Sequence, residues 1–130
     1  EFVDRHDAGG RRRDASRLLR KAERGHALVF FPEGTFVEAP GLNRFHAGAF
    51  VAAVRAELPV VPVVIQGARQ ALPNGALIVR PGRVRVAILQ PLEAPPASRN
   101  AVEGLRRDSR RSILSHLDEP DLAPDQTAGR

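Results

Sequence analysis

Ala27-Leu28-Val29-Phe30-Phe31-Pro32-Glu33-Gly34-Thr35 decides the reading of this chain. A short, continuous apolar run stopped by a proline is the mark of a strand buried on both faces, as in a parallel sheet. A carboxylate, a glycine and a hydroxyl follow at once. In an open α/β sheet, ligands bind beyond the carboxyl ends of the strands. Glu33 offers an acceptor there, Thr35 offers a donor, and Gly34 lets a ligand approach the backbone closely. On pattern alone an ordinary strand-to-loop turn with a solvated Glu33 is the simpler reading.

Working outward, Asp14 caps a predicted helix that runs to about Glu23, with Ala15, Leu18, Leu19 and Ala22 at helical spacing. Arg24-Gly25 ends it. Beyond the long loop 32–46, residues 47–58 read as a helix that is apolar nearly all round and therefore buried. Pro59 ends that helix, and Val60-Val61-Pro62-Val63-Val64-Ile65 is a second apolar strand. The order strand, helix, strand, helix, strand predicts an α/β fold with a mixed, mostly parallel sheet flanked by helices. Residues 27–31 and 60–65 are its central strands. Residues 76–79 and 83–89 read as a hairpin turning at Pro81-Gly82. Pro91, Pro95 and Pro96 mark a linker. Asn100 and Glu103 have capping-box spacing for a last helix reaching about Leu117, and the residues from 118 onward read as disordered.

Composition narrows the function. With 130 residues and 42% apolar content, the chain is long enough for one core or part of one. It has no cysteine, which removes disulfides and thiolate metal sites. No apolar run reaches the length of a membrane-crossing helix. The net charge is +5, and Lys21 is the sole lysine among 20 basic residues. That balance suits anionic partners such as phosphate esters, lipid headgroups or nucleic acid. Six phenylalanines without tyrosine or tryptophan leave no stacking platform for bases, so nucleic acid ranks last. The opening Glu1-Phe2-Val3-Asp4, without Met, reads as a strand end and as the start of a cut or processed chain.

Phe31-Pro32-Glu33-Gly34-Thr35 resembles the FPEGT signature of the glycerolipid acyltransferase family, which includes the 1-acylglycerol-3-phosphate acyltransferases. Phe2-Val3-Asp4-Arg5 resembles that family's earlier F-[VI]-D-R block, and Val60-Val61-Pro62-Val63 its later V-P-V block. Leu42-Asn43-Arg44-Phe45-His46-Ala47-Gly48 also falls at the expected place after the signature. The resemblance covers residues 1–92 and implies the C-terminal part of an acyltransferase domain whose N-terminal part is missing. Residues 93–117 then form a linker and terminal helix, and 118–130 a disordered tail. The implied activity moves a fatty acyl group from acyl-CoA or acyl carrier protein to a lysophospholipid hydroxyl. It needs no cofactor and no metal, and it takes place at the cytoplasmic face of a membrane.

The resemblance assigns substrate binding to Arg5, Glu33, Gly34 and Thr35. A guanidinium fork at Arg5 suits an acceptor phosphate, the alternative being a salt bridge to Asp4, Asp7 or Glu33. Glu33 is also a possible acid–base residue, and Asn43 and His46 are expected to fix the loop. Phe36 stands where many members of the family carry arginine. The family's general base is a histidine in an H-x-x-x-x-D motif that lies before these blocks, and it is absent from that place here. His6, His26 and His46 are followed five positions on by Arg11, Phe31 and Val51. His116 and Asp121 have the spacing but lie across Pro120, after the domain. The alternative to an enzyme is therefore a non-catalytic remnant that binds anionic lipid. Arg11-Arg12-Arg13, and Arg106, Arg107, Arg110 and Arg111 on one side of the last helix, could meet a membrane surface. The plainer readings are a solvated loop and a helix packed by its apolar face on the sheet.

Overall fold

The computed structural model describes residues 17–34, 39–73 and 78–127. The first helix, α1, occupies residues 17–23 of the described chain. Its end follows from Gly25, at φ 82°. The left-handed turn lets the Gly25 N–H reach the Ala22 carbonyl at 2.9 Å and the His26 N–H reach the Lys21 carbonyl at 3.1 Å.

The next segment departs from expectation. Residues 27–31 adopt no regular strand, and Val29 and Phe31 are 84% and 74% exposed. An apolar run becomes a central strand only when neighbours saturate its backbone and cover both faces. Among the described residues no strand pairs with it.

Helix α2 spans Gly48–Ala56 and buries Phe50, Ala53 and Val54. It stops at Glu57, whose left-handed φ of 53° lets the following Leu58 N–H reach the Ala53 carbonyl at 3.0 Å. Strand β1, Val63–Gln66, falls inside the predicted second strand and continues one residue past it. Helix α3, Ala68–Ala71, is a single turn. Strand β2, Arg85–Ile88, runs antiparallel to β1, with Val63 opposite Ile88 and Ile65 opposite Val86. The described sheet is therefore two-stranded and antiparallel, in a small α/β arrangement. The hairpin predicted about Pro81-Gly82 does not form among the described residues, residues 76 and 77 of its first strand lying outside them. Ile78 and Val79 are exposed and outside any strand, and β2 pairs back to β1 instead. Gly67 permits this return: at φ +84°, a Cβ there would lie 2.0 Å from the Arg83 carbonyl oxygen.

Helix α4, Ala101–Leu114, packs on α2 rather than on the sheet. The Asn100 side chain makes no capping hydrogen bond, and Glu103 is engaged by Arg106, so the capping box does not form. The core joins Leu42, Phe45, Phe50, Ala53, Val54, Ala101 and Leu105. The Phe45 and Phe50 rings stack with centroids 6.1 Å apart.

The stretch from residue 118, read from sequence as a disordered tail, is tied down through residue 127. Leu42 and Asp121 form a parallel bridge, and Pro124–Gln126 make a turn of 3₁₀ helix with Gln126 buried. Gly41, at φ +138°, admits this segment, since a Cβ there would meet the Leu122 side chain at 2.6 Å. The polar residues of the segment find buried backbone groups to bond, which composition alone does not reveal.

Candidate acceptor site

Pro32-Glu33-Gly34 is a tight turn, closed by the Gly34 N–H on the Phe31 carbonyl at 3.0 Å. Gly34 has φ 74°, a conformation that favours glycine over residues with a Cβ. The turn is held against the 43–46 segment at two points. Glu33 Oε2 accepts the Asn43 N–H at 2.9 Å, and the Pro32 carbonyl accepts the His46 N–H at 2.8 Å. Glu33 is thus half-buried and oriented, rather than a solvated side chain. Asn43 Oδ1 accepts the Arg44 N–H at 2.8 Å, while the His46 side chain is exposed. Both residues fix the loop as expected, and they do so mainly through their backbone.

The 42–45 segment is held in turn from behind. Arg110 is fully buried in α4. Its guanidinium donates to the Asn43 carbonyl, to Asp121, and at 3.5 Å to the Leu42 carbonyl. Its Nε reaches Thr127 Oγ1 at 3.3 Å, and its Cζ lies 4.9 Å from the Phe45 ring centroid. Gln126 grips Phe45 at both backbone groups, accepting its N–H at 2.8 Å and donating to its carbonyl at 3.3 Å. Burial alone would raise the Asp121 carboxyl. The Thr127 hydroxyl, the Ala123 N–H and the Arg110 guanidinium outweigh it and hold Asp121 below its ordinary value.

Of the predicted site residues, Glu33 and Gly34 are brought into this turn, while Arg5 and Thr35 lie outside the described residues, as does Phe36. Arg11-Arg12-Arg13 also lie outside them. Arg110 does not belong to a basic membrane-facing stripe. It bonds buried carbonyls, whereas Arg111 stays 63% exposed. His116 and Asp121 do not act as a pair. His116 Nδ1 faces Ser112 O and Ser115 Oγ, and Asp121 is taken by Arg110, Thr127 and Ala123. Among the described residues no cluster of histidine, aspartate and glutamate could hold a metal ion. No helix there is long and apolar enough to cross a membrane. Sequence reasoning put Arg110 on a basic surface instead of in the core, and it missed Gln126. The only signal for Arg110 was its place beside the 101, 105, 109 face of α4, and Gln126 carried none.

The acyltransferase family model matches residues 1–66, half of the chain, and the chain belongs to that family. The relatives it matches are longer proteins. The chain is 36% identical over 77 residues to the chloroplastic 1-acyl-sn-glycerol-3-phosphate acyltransferase BAT2 of Brassica napus, an overlap of 58% of this chain and 22% of that protein. It is 31% identical over 103 residues to the chloroplastic 1-acyl-sn-glycerol-3-phosphate acyltransferase LPAT1 of Arabidopsis thaliana, covering 78% of this chain and 28% of that protein. With the 1-acyl-sn-glycerol-3-phosphate acyltransferase of Haemophilus influenzae it shares 29% identity over 124 residues, which is 91% of this chain and 50% of the relative. The chain thus spans between about a fifth and a half of the length of these relatives. No solved structure matches it.

Proposed function

We propose that this chain is part of an O-acyltransferase of phospholipid biosynthesis or remodelling. It transfers a fatty acyl group from acyl-CoA or acyl carrier protein to a lysophospholipid such as 1-acylglycerol-3-phosphate, at the cytoplasmic face of a membrane. The observation that carries this reading is the Glu33-Gly34 turn, anchored on Asn43 and His46 within a chain of this family. The acceptor hydroxyl attacks the thioester carbonyl, a C–O bond forms, the C–S bond breaks, and the thiol leaves with the proton. Glu33 has one carboxylate oxygen occupied by Asn43, which orients the other toward a substrate hydroxyl. Arg5 supplies the cation for the acceptor phosphate. In the whole domain, residues 27–31 and 60–65 are proposed as central strands of a mixed, mostly parallel sheet that opens the Arg5 and Glu33 loops on one edge.

The expected base, a histidine in an H-x-x-x-x-D motif, is not at its family place within these 130 residues. Turnover is therefore expected from a protein that carries this chain together with such a motif, and not from residues 1–130 alone. Thiol release with lysophosphatidate and acyl-CoA tests both. In the active protein, Arg5→Ala should raise the acceptor KM more than it lowers kcat, by a factor of about ten to a hundred, as for loss of a charged hydrogen bond. Glu33→Ala should raise the acceptor KM and lower kcat as well. Lysophosphatidate binding without turnover in the longer protein would support the lipid-binding alternative instead.

A further inference from the structure

We propose that Gln126 is a positioning residue of the acceptor site, acting through Phe45 and the 42–46 segment on Glu33. The inference rests on the reading of Glu33 given above and extends it to a part of the chain that the family signature does not include. The linkage is continuous. Gln126 holds both backbone groups of Phe45, and buried Arg110 holds the carbonyls of Leu42 and Asn43. The Asn43 N–H then binds the Glu33 carboxylate, and the His46 N–H binds the Pro32 carbonyl. The 3₁₀ turn is placed by the same hub, since Asp121 accepts from Arg110, from the Ala123 N–H and from the Thr127 hydroxyl. The Leu42 N–H bonds the Pro120 carbonyl and the Leu122 N–H bonds the Leu42 carbonyl, so the two segments lie side by side.

The geometry is more specific than general packing. An apolar residue at 126 could fill the same volume, but it could not satisfy the N–H and the carbonyl of Phe45 together. The carbonyl would keep Arg106, but the buried N–H would lose its partner, which is costly. Without Gln126 the backbone of the 43–46 segment is held from behind by Arg110 and Arg106, both of which reach carbonyls and neither of which reaches an N–H, while Arg44 ties to Asp125 through its exposed side chain. The Asn43 and His46 amides that orient the signature turn would then be held less firmly.

Amide hydrogen exchange on this chain separates positioning from loss of overall stability. Gln126→Ala should speed exchange at Asn43 and His46 by about tenfold more than at Val54 in α2, because only the local opening becomes easier. Arg111→Ala, on the exposed face of α4, should leave that ratio at its wild-type value. Equal acceleration at all three amides would overturn the proposal. Should the alanine variant fail to fold, Gln126→Glu keeps an acceptor for the Phe45 N–H and loses the donor. It should move the ratio in the same direction by a smaller factor, and an unchanged ratio would overturn the proposal.

Kinetics in the longer, active protein give the second arm. Gln126→Ala should raise the acceptor KM by about tenfold with the acyl-donor KM unchanged, as expected for loss of one oriented contact. The Glu33→Ala, Gln126→Ala double variant should then match Glu33→Ala alone, since the two residues act through one route. Independent, multiplying effects, or an unchanged acceptor KM in Gln126→Ala, would refute the positioning role while leaving Glu33 in place. A Glu33→Ala protein with unchanged acceptor kinetics would instead overturn the acceptor-site reading and the positioning role with it.

Discussion

The β1–β2 ribbon and the α2–α4 body reverse what their sequences suggest. The ribbon is rich in β-branched apolar residues, yet Val63, Ile65, Val86 and Ile88 form one exposed face, between 44% and 75% accessible. Only Val64, on the opposite face, is buried. Helix α4 is crowded with arginines, yet it buries Ser109 and Arg110. Apolarity supplies the tendency to be buried, but burial itself needs a surface to pack on. A two-stranded ribbon has few such surfaces. Helix α4 has α2 on one side and the C-terminal segment on the other, and the backbone carbonyls exposed there make a binding place for a guanidinium.

The sharpest way to break this comparison is Arg110→Ala. It leaves two carbonyls and the partly buried Asp121 without their cation, with only the Ala123 N–H and the Thr127 hydroxyl still on the carboxylate. The expected loss is about 3–5 kcal/mol, as for removal of one partner of a buried ion pair. Urea unfolding followed by circular dichroism measures it, and a loss below about 1 kcal/mol would place Arg110 among ordinary surface arginines.

A smaller effect comes from Asp121, and it depends on pH. Its folded-state value lies below its unfolded one, so its contribution is fully present above about pH 4 and is lost as the pH falls through the folded value. Asp121→Asn should therefore cost about 1–3 kcal/mol at pH 7, with the gap to wild type narrowing in acid. Unfolding midpoints of the two proteins at pH 7 and near pH 3 test the sign. A gap that is constant or widens in acid would contradict it.

The smallest expected change lies in the ribbon. Ile88→Ser removes the most exposed apolar side chain of its face and should shift stability by no more than about 0.5 kcal/mol, while lowering binding of a hydrophobic dye. A loss of about 2 kcal/mol would show that this face is covered in solution.

Some of the architecture was legible without coordinates. The α1 stop at Arg24-Gly25 was local chemistry, since a glycine in the left-handed region reverses the chain wherever a helix meets it. Helices α2 and α4 followed from spacing; α2 came out shorter than predicted at both ends and α4 at its C-terminal end, where fraying and caps decide. The 27–31 run forms no strand among the described residues, because its apolar character states a preference and not a partner. The hairpin at Pro81-Gly82 failed for the same reason: strand pairing is a long-range choice, and β2 found β1.

The candidate site divides along the same line. Its chemistry, a glutamate and a glycine after an apolar run within ordered family blocks, was written in the sequence and fixed the family. What holds Glu33 was not. Asn43 and His46 contribute backbone groups whose bonding no residue name declares. Arg110 and Gln126 act across separations of 67 and 81 positions, on a loop that only the packing of α4 and the C-terminal turn brings within reach. Local conformation and chemical type are properties of neighbours in the chain, so the sequence determined them. The burial of a cation, the exposure of a strand and the bracing of the signature turn depend on which distant segments share a core, and the tertiary structure alone decided those.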